Sequence, residues 1–381
     1  MEPNFNPNYP SVEDLRRKAR KRIPRFAFEY LDEGCNAEVN LVRNTRDIRA
    51  VQLKPFYLRP YAGASLETEL FGTTYAAPFG VAPVGLQGLM WPRASQILAK
   101  AAFENQIPFI LSNVATASLE EISEITEGNA WFQLYHPVEN ALRNDLLNRA
   151  SVAGYPVLVI VSDVPVYAYR PKDIKNGLAI PPKMTLSNMI QILGKPGWAI
   201  QTLLAGQPEF ATVKPYIPRG TNLRDLGLFM KKTFNGRLNE EKIKAIRDKW
   251  KGKLVLKGVA CEEDAEMAVA LGLDGIVVSN HGGRQLDAGE STIKSLNPIV
   301  KAYRKKITIM MDSGIRSGSD IACTLASGAE FTLLGKSFMY SVAALGKAGG
   351  EHAVAMLKMQ LRQVMEQIGC EKIADLPEHL I

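Results

Sequence analysis

The stretch SNHGGRQLD, residues 279–287, concentrates more chemistry than any other part of the chain. His281 can serve as a base. Arg284 can grip a carboxylate through two parallel hydrogen bonds. Gly282 and Gly283 between them let backbone approach a flat ligand closely. A histidine in a glycine turn is, taken alone, more often structural, so its meaning depends on its surroundings. The chain has 4 histidines, and His136, His352 and His379 lie in no comparable setting.

Two other turns point to a phosphate. DSGIRSG (312–318) and LGKS (334–337) are glycine-rich and lead into helical patterns. Such turns present free backbone N–H groups to an anion, and Arg316 and Lys336 add positive charge. Lys257, in VLKGV, falls in a run that reads as a buried strand. Lysine is rarely buried unpaired, so a negatively charged partner is expected. A reduced flavin or a Schiff base would both fit; a snorkelling lysine is the bland alternative.

The elements that must carry these groups are legible as eight short apolar runs: FGVAP (79–83), PFILS (108–112), WFQLY (131–135), VLVIVS (157–162), LVLKG (254–258), GIVVS (275–279), ITIMMD (307–312) and FTLLG (331–335). They are continuous rather than alternating, as expected of strands covered on both faces. Amphipathic stretches at 94–105, 118–126, 262–271, 292–304 and 318–327 separate them. Strands alternating with helices predict an α/β fold, a (β/α)₈ TIM barrel. Residues 1–78 form an N-terminal helical extension, with helices near 11–21 and 24–33. About 170–237 form a long insertion loop after strand 4, followed by a helix over 239–250. No linker tract interrupts the chain, so 1–381 reads as a single domain. Gln133, Tyr135, Asp163, Lys257, Ser279, Asn280, His281, Asp312, Gly335 and Lys336 fall at or just beyond strand C-termini, the face where such barrels carry their active sites.

Composition narrows the classes. With 381 residues, 46% hydrophobic and 22% charged, the chain is globular rather than disordered. Its 4 cysteines form no CxxC pair, which fits reduced thiols better than disulfides or zinc; no metal site is expected. No apolar run reaches membrane-spanning length, and the start MEPNFNPNYP does not read as a secretory signal. A cytoplasmic location follows as the expectation, with the cytoplasmic face of the inner membrane as its variant. Residues 170–237 carry 11 basic and 3 acidic side chains, so the net charge of +7 resides there and the remainder is close to neutral. The same segment contains MTLSNMIQILGKPGWAIQTLLA (184–205), apolar with little charge. Basic charge beside amphipathic apolar residues suits an anionic membrane surface; a solvated loop, or a helix packed on its own domain or on a sister subunit, is the alternative. Nucleic acid is not expected, because no recognised motif or basic–aromatic stripe is present.

Taken together, SNHGGRQLD, APVGLQG with WP (82–92), WFQLY, DSGIRSGSDI and QIGC (367–370) resemble the FMN-dependent α-hydroxy acid oxidising family, most of all its (S)-mandelate and L-lactate dehydrogenase branch. The likeness runs from about Ile23 to the C-terminus. It implies FMN as cofactor and oxidation of an (S)-2-hydroxy acid to the 2-oxo acid. By motif, His281 is the base, taking the α-proton or the hydroxyl proton, and Asp163 stabilises its protonated form. Arg170 and Arg284 bind the substrate carboxylate with Tyr30 and Tyr135, and Tyr135 and Lys257 count with the catalytic groups. Pro83, Val84, Gly85, Ser112, Gln133, Val161 and Ser279 line the flavin ring, with Lys257 beside it. Asp312, Ser313, Gly314, Ile315, Arg316, Gly335 and Lys336 hold ribityl and phosphate. Val161 stands where the family usually has Thr, Asn113 and Ala168 replace commoner Ser/Thr and Gly, and Lys336 replaces Arg. Gly85, where oxidases usually carry Ala, implies an acceptor other than oxygen, and the insertion implies a quinone reached through peripheral membrane contact. A hydrogen-peroxide-forming oxidase is the rival, and a non-catalytic flavin protein the third reading. The resemblance also implies a homo-oligomer, a tetramer.

Overall fold

A computed structural model describes residues 4–234 and 237–381. The start of the extension and residues 235 and 236, near the end of the expected insertion, lie outside them. Eight parallel strands, β3 (Phe79–Val81), β4 (Ile110–Ser112), β5 (Trp131–Leu134), β6 (Val157–Val161), β7 (Lys253–Val259), β8 (Gly275–Val278), β9 (Thr308–Met311) and β10 (Phe331–Leu334), form one sheet in the order β3-β10-β9-β8-β7-β6-β5-β4. A parallel bridge between Val81 and Phe109 brings the two edges together. The result is a (β/α)₈ barrel, and every strand lies within an expected run or within one residue of it.

Side-chain alternation sorts each strand between two environments. Trp131, Val157, Val159, Val255, Val277, Met310, Phe331 and Leu333 pack together inside the barrel. Phe132, Leu134, Leu158, Ile160, Leu254, Leu256 and Ile276 instead join the layer beneath the surrounding helices. Two residues on from the inner set, the same parity places Gln133, Val161, Lys257, Ser279, Asp312 and Gly335 at the C-terminal end of the barrel axis. The apolar runs thus set the position of the polar rim.

The opposite end is closed by a hairpin that the sequence reading did not identify. Strands β1 (Thr68–Leu70) and β2 (Thr73–Tyr75) pair antiparallel. Phe71 packs on Trp131 (5.7 Å between ring centres) and Tyr75 on Phe331 (5.8 Å). The Trp131 indole N–H donates to the Tyr75 hydroxyl, so the two polar side-chain atoms of this aromatic plug satisfy each other.

Three helices precede the barrel: α1 (Val12–Arg22), α2 (Arg25–Asp32) and α3 (Val39–Ile48). Ser11 caps α1 by accepting from the Asp14 N–H. The insertion folds as the helices Pro171–Lys175, Leu186–Leu193, Pro196–Ala205 and Leu223–Thr233 with intervening turns, rather than as a loop. It is tied to α2: the Gln191 side-chain carbonyl accepts the Phe26 N–H, and buried Trp198 meets Phe26 edge to face while donating to the Met90 carbonyl. Among the described residues, no helix is long and apolar enough to cross a membrane.

Candidate active site

The loop after β8 sets His281 in the left-handed region (φ 58°), followed by Gly282 (69°) and Gly283 (72°). Such backbone is costly for a histidine and persists only where the surroundings fix it. A Cβ on Gly283 would lie 2.4 Å from the Leu41 nitrogen, so α3 can pack on the loop only because that residue is glycine. Asn40 and Ala37 donate backbone N–H groups to Asp287, and Asn44 and Asn280 bond through their amides, which pins the loop to α3.

So held, His281 has a different partner on each nitrogen. Nδ1 lies 3.0 Å from Asp163 Oδ1, and Nε2 lies 3.2 Å from the Tyr135 hydroxyl. Burial opposes the charge on Asp163, but His281 and then Lys257 outweigh it and hold the carboxyl below its ordinary value. Asp163 fits there because Gly258, at φ 104°, has no side chain: a Cβ would come within 2.7 Å of the aspartate. Burial pushes the Tyr135 hydroxyl up, so it stays protonated.

Two guanidinium groups face this base. Arg284 donates from Nη1 to the carbonyls of Tyr30 and Glu33, both at 2.9 Å, and lies 5.4 Å from the Tyr30 ring centre. Arg170 donates to Gln285 Oε1 at 3.2 Å and lies 3.7 Å from Asp173. The Gln285 amide in turn donates to the carbonyls of Asp163 and Val166, so the segment carrying Arg284 also orients Arg170.

Lys257 sits at the centre of the rim with two partners, Asp312 Oδ2 and Ser279 Oγ, each at 2.9 Å. Burial works against its charge, yet Asp312 and Asp163 hold the ammonium above its ordinary value. At the far side, Arg316 and Lys336 are half-buried with no ion-pair partner among the described residues. Burial pushes both down, and Lys336 falls further because Arg284 and Arg316 are near. Lys336 Nζ donates only to the Asp32 and Glu33 carbonyls, at 2.8 and 3.0 Å.

One cavity of about 1350 Å³ joins these groups. Tyr30, Pro83, Val84, Gly85, Tyr135, Lys257, Arg170, His281, Arg284, Asp312, Ser313, Gly314, Ile315, Arg316, Gly335 and Lys336 all line it. Asp163 stands behind His281 instead of facing the cavity. Ser112, Gln133, Val161 and Ser279 do not face it either; they form the buried floor at the strand ends. The sequence reading missed Glu33 and Asp173, whose buried carboxyls lie next to Arg170 and Arg284. A buried pair contributed by the residue that follows α2 and by the insertion has no local motif.

The model of the FMN-dependent dehydrogenase family matches residues 19–381. The chain belongs to that family. It is 40% identical over 364 residues to an L-lactate dehydrogenase of Vibrio parahaemolyticus serotype O3:K6, covering 95% of this chain and 96% of that one. A solved structure of the monotopic membrane protein (S)-mandelate dehydrogenase superposes with a TM-score of 0.92 at 33% identity, covering 98% and 99% of the two chains. Mandelate oxidase superposes at 0.83 with 32% identity over 98% of each. FMN is therefore the cofactor, and the site fits it. The cationic pole of Arg316 and Lys336 has no paired carboxylate, which suits a phosphate. The Gln133 side-chain nitrogen is buried on the floor with no partner, which suits a ring carbonyl. The family's enzyme class is an FMN-dependent oxidoreductase.

Proposed function

We propose that this FMN-dependent dehydrogenase oxidises an (S)-2-hydroxy acid to the 2-oxo acid and delivers the electrons to a membrane quinone. The observation that carries the first half is the placement of His281 opposite Arg170 and Arg284 across one cavity. The two guanidiniums bind the substrate carboxylate, which fixes the carbinol carbon between them and the base. Tyr30 and the Tyr135 hydroxyl help hold it. Asp163 accepts from Nδ1, which leaves Nε2 to take the proton that departs from the substrate, and its charge stabilises the imidazolium that results. Pro83 to Gly85, Ser112, Gln133, Val161 and Ser279 form the bed of the flavin ring, and residues 312–316 with Gly335 and Lys336 hold ribityl and phosphate. FMN, when bound, supplies the two-electron acceptor. Lys257 places fixed positive charge where negative charge develops.

The substrate's side chain faces an apolar wall of Val114, Tyr167, Leu226, Met230 and Phe234, all lining the same cavity. This supports an apolar 2-hydroxy acid, as do the relatives that act on lactate and mandelate by name.

The second half rests on the insertion. Its helices expose Leu186, Met189, Ile190, Leu193 (80% exposed), Ile200, Leu203 (83%) and Leu204. An apolar pad of this kind on the chain's most basic segment fits a monolayer of anionic lipid. The cavity wall runs from His281 and Lys257 to Ile192, Thr202 and Leu203 on the same two helices, so an apolar path leads from the site to the pad. The test is to supply reduced holoenzyme with a short-chain ubiquinone analogue or with oxygen. The reading expects fast quinone reduction and little hydrogen peroxide; peroxide formed faster than quinone is reduced would favour the oxidase alternative.

A further inference from the structure

Glu33 follows the last residue of α2 and is 0% exposed. Neither of its carboxyl oxygens has a hydrogen-bond partner, and Oδ1 of the neighbouring Asp173 has none. Three buried acceptor oxygens without a donor, on two adjacent carboxyls, form an arrangement that is expensive when both are ionised. One proton held between them satisfies an oxygen on each side and removes one of two like charges.

We infer that Glu33 and Asp173 share a proton and so keep the charge of Arg170 and Arg284 available for the substrate carboxylate. The charge count gives the reason. With one proton the pair carries a single negative charge against two guanidiniums, leaving an excess positive charge to meet an anion. Without it the pair neutralises both arginines. Glu33 is a positioning residue: its carbonyl accepts from both Arg284 Nη1 and Lys336 Nζ, and its carboxyl sets the local charge without lining the cavity. The groups that face it are Asp173 and Arg170 from the insertion, Arg284 from the loop after β8, Lys336 after β10, and Tyr30 on α2. Burial and then Asp173 push Glu33 up to about 8, so the proton is held at neutral pH and lost at alkaline pH. Burial pushes Tyr30 and Tyr135 up, and they remain neutral across that range.

The inference rests on Arg170 and Arg284 being the carboxylate's partners. The experiment titrates FMN-loaded enzyme with phenylacetate, a carboxylate that has no hydroxyl to oxidise, and follows the flavin spectrum from pH 6.5 to 9.5 at constant ionic strength. In the wild type, affinity is expected to fall roughly tenfold across the window, equivalent to one unit of proton linkage. Glu33→Gln keeps the size and can still donate to Asp173, so its affinity is expected to change less than about twofold. Asp173→Asn, which donates to Glu33 and lowers its affinity for the proton, is expected to move the fall to lower pH. Lys336 is present in every variant, so the difference between wild type and Glu33→Gln reports Glu33. The same fall in both, or none in the wild type, overturns the inference. Arg284→Met at pH 7 separates the underlying reading: normal phenylacetate binding would remove it, whereas lost binding combined with an unchanged profile in Glu33→Gln removes only the role of Glu33.

Discussion

His281 and Asp163 are joined at 3.0 Å between Nδ1 and Oδ1. An ionised carboxylate only accepts, so the bond places the imidazole proton on Nδ1 and leaves Nε2 as the acceptor toward the cavity. The pairing also lets Asp163 hold the imidazolium once the substrate's proton has arrived. Asp163→Asn is expected to lower kcat by roughly 10²–10⁴-fold, with FMN content and carboxylate binding little changed. His281→Asn is expected to lose at least as much. Steady-state kinetics alongside the flavin-to-protein ratio checks both, and an Asp163→Asn enzyme with wild-type kcat would count against this role.

Lys257 and Asp312 form an ion pair with side chains 5% and 8% exposed. Breaking such a pair leaves an uncompensated buried charge, which costs about 3–5 kcal/mol. Asp312→Ala is therefore expected to lower unfolding stability by about that amount in the FMN-free protein, where no cofactor contact contributes. Denaturant titration measures it. A loss below about 1 kcal/mol would mean that the ammonium finds water or another acid.

Lys336 supplies a pH signature for cofactor binding. Burial, then Arg284 and Arg316, hold its ammonium well below the ordinary value. A phosphate favours the charged form, so binding above the lowered pKa must first return the proton. FMN affinity of the apoprotein is expected to fall as pH rises through the alkaline range. Lys336→Arg, which keeps its charge, is expected to flatten that fall. Fluorescence titration at several pH values distinguishes the two.

The exposed aliphatic side chains of the insertion give a separable prediction. Leu186, Ile190, Leu193 and Leu204 do not line the cavity, so exchanging all four for Ser is expected to leave dye-linked activity within about twofold. Each is worth roughly 1.5–3 kcal/mol when buried in an apolar phase, so co-sedimentation with anionic vesicles is expected to be lost. Retained sedimentation would place the membrane contact elsewhere.

The barrel was readable because doubly covered strands write themselves as unbroken apolar runs, and the rim because several of these runs, those ending at Gln133, Lys257, Ser279 and Asp312, carry a polar residue two positions beyond an inward-facing one. Val255 and Lys257 on β7 illustrate this. The plug at the barrel's closed end was not readable: Leu70 and Tyr75 sit in strands of three residues, too short to show a period, and Phe71 sits in the turn between them. The insertion was placed correctly but read as a loop, since its helices take their fixed points from distant contacts such as Trp198 to Met90. Glu33 and Asp173 were missed for the same reason. Nothing local marks a carboxyl as buried when its neighbour is contributed from far along the chain.

The central claim is best tested by the visible spectrum of anaerobic, FMN-loaded enzyme mixed with a panel of (S)-2-hydroxy acids running from lactate to mandelate and longer aliphatic chains. At least one is predicted to bleach the flavin band and yield one equivalent of its 2-oxo acid, while the (R) enantiomer and the His281→Asn variant leave the band intact. A band that stays oxidised with every member of the panel would contradict the assignment of this site to 2-hydroxy acid oxidation.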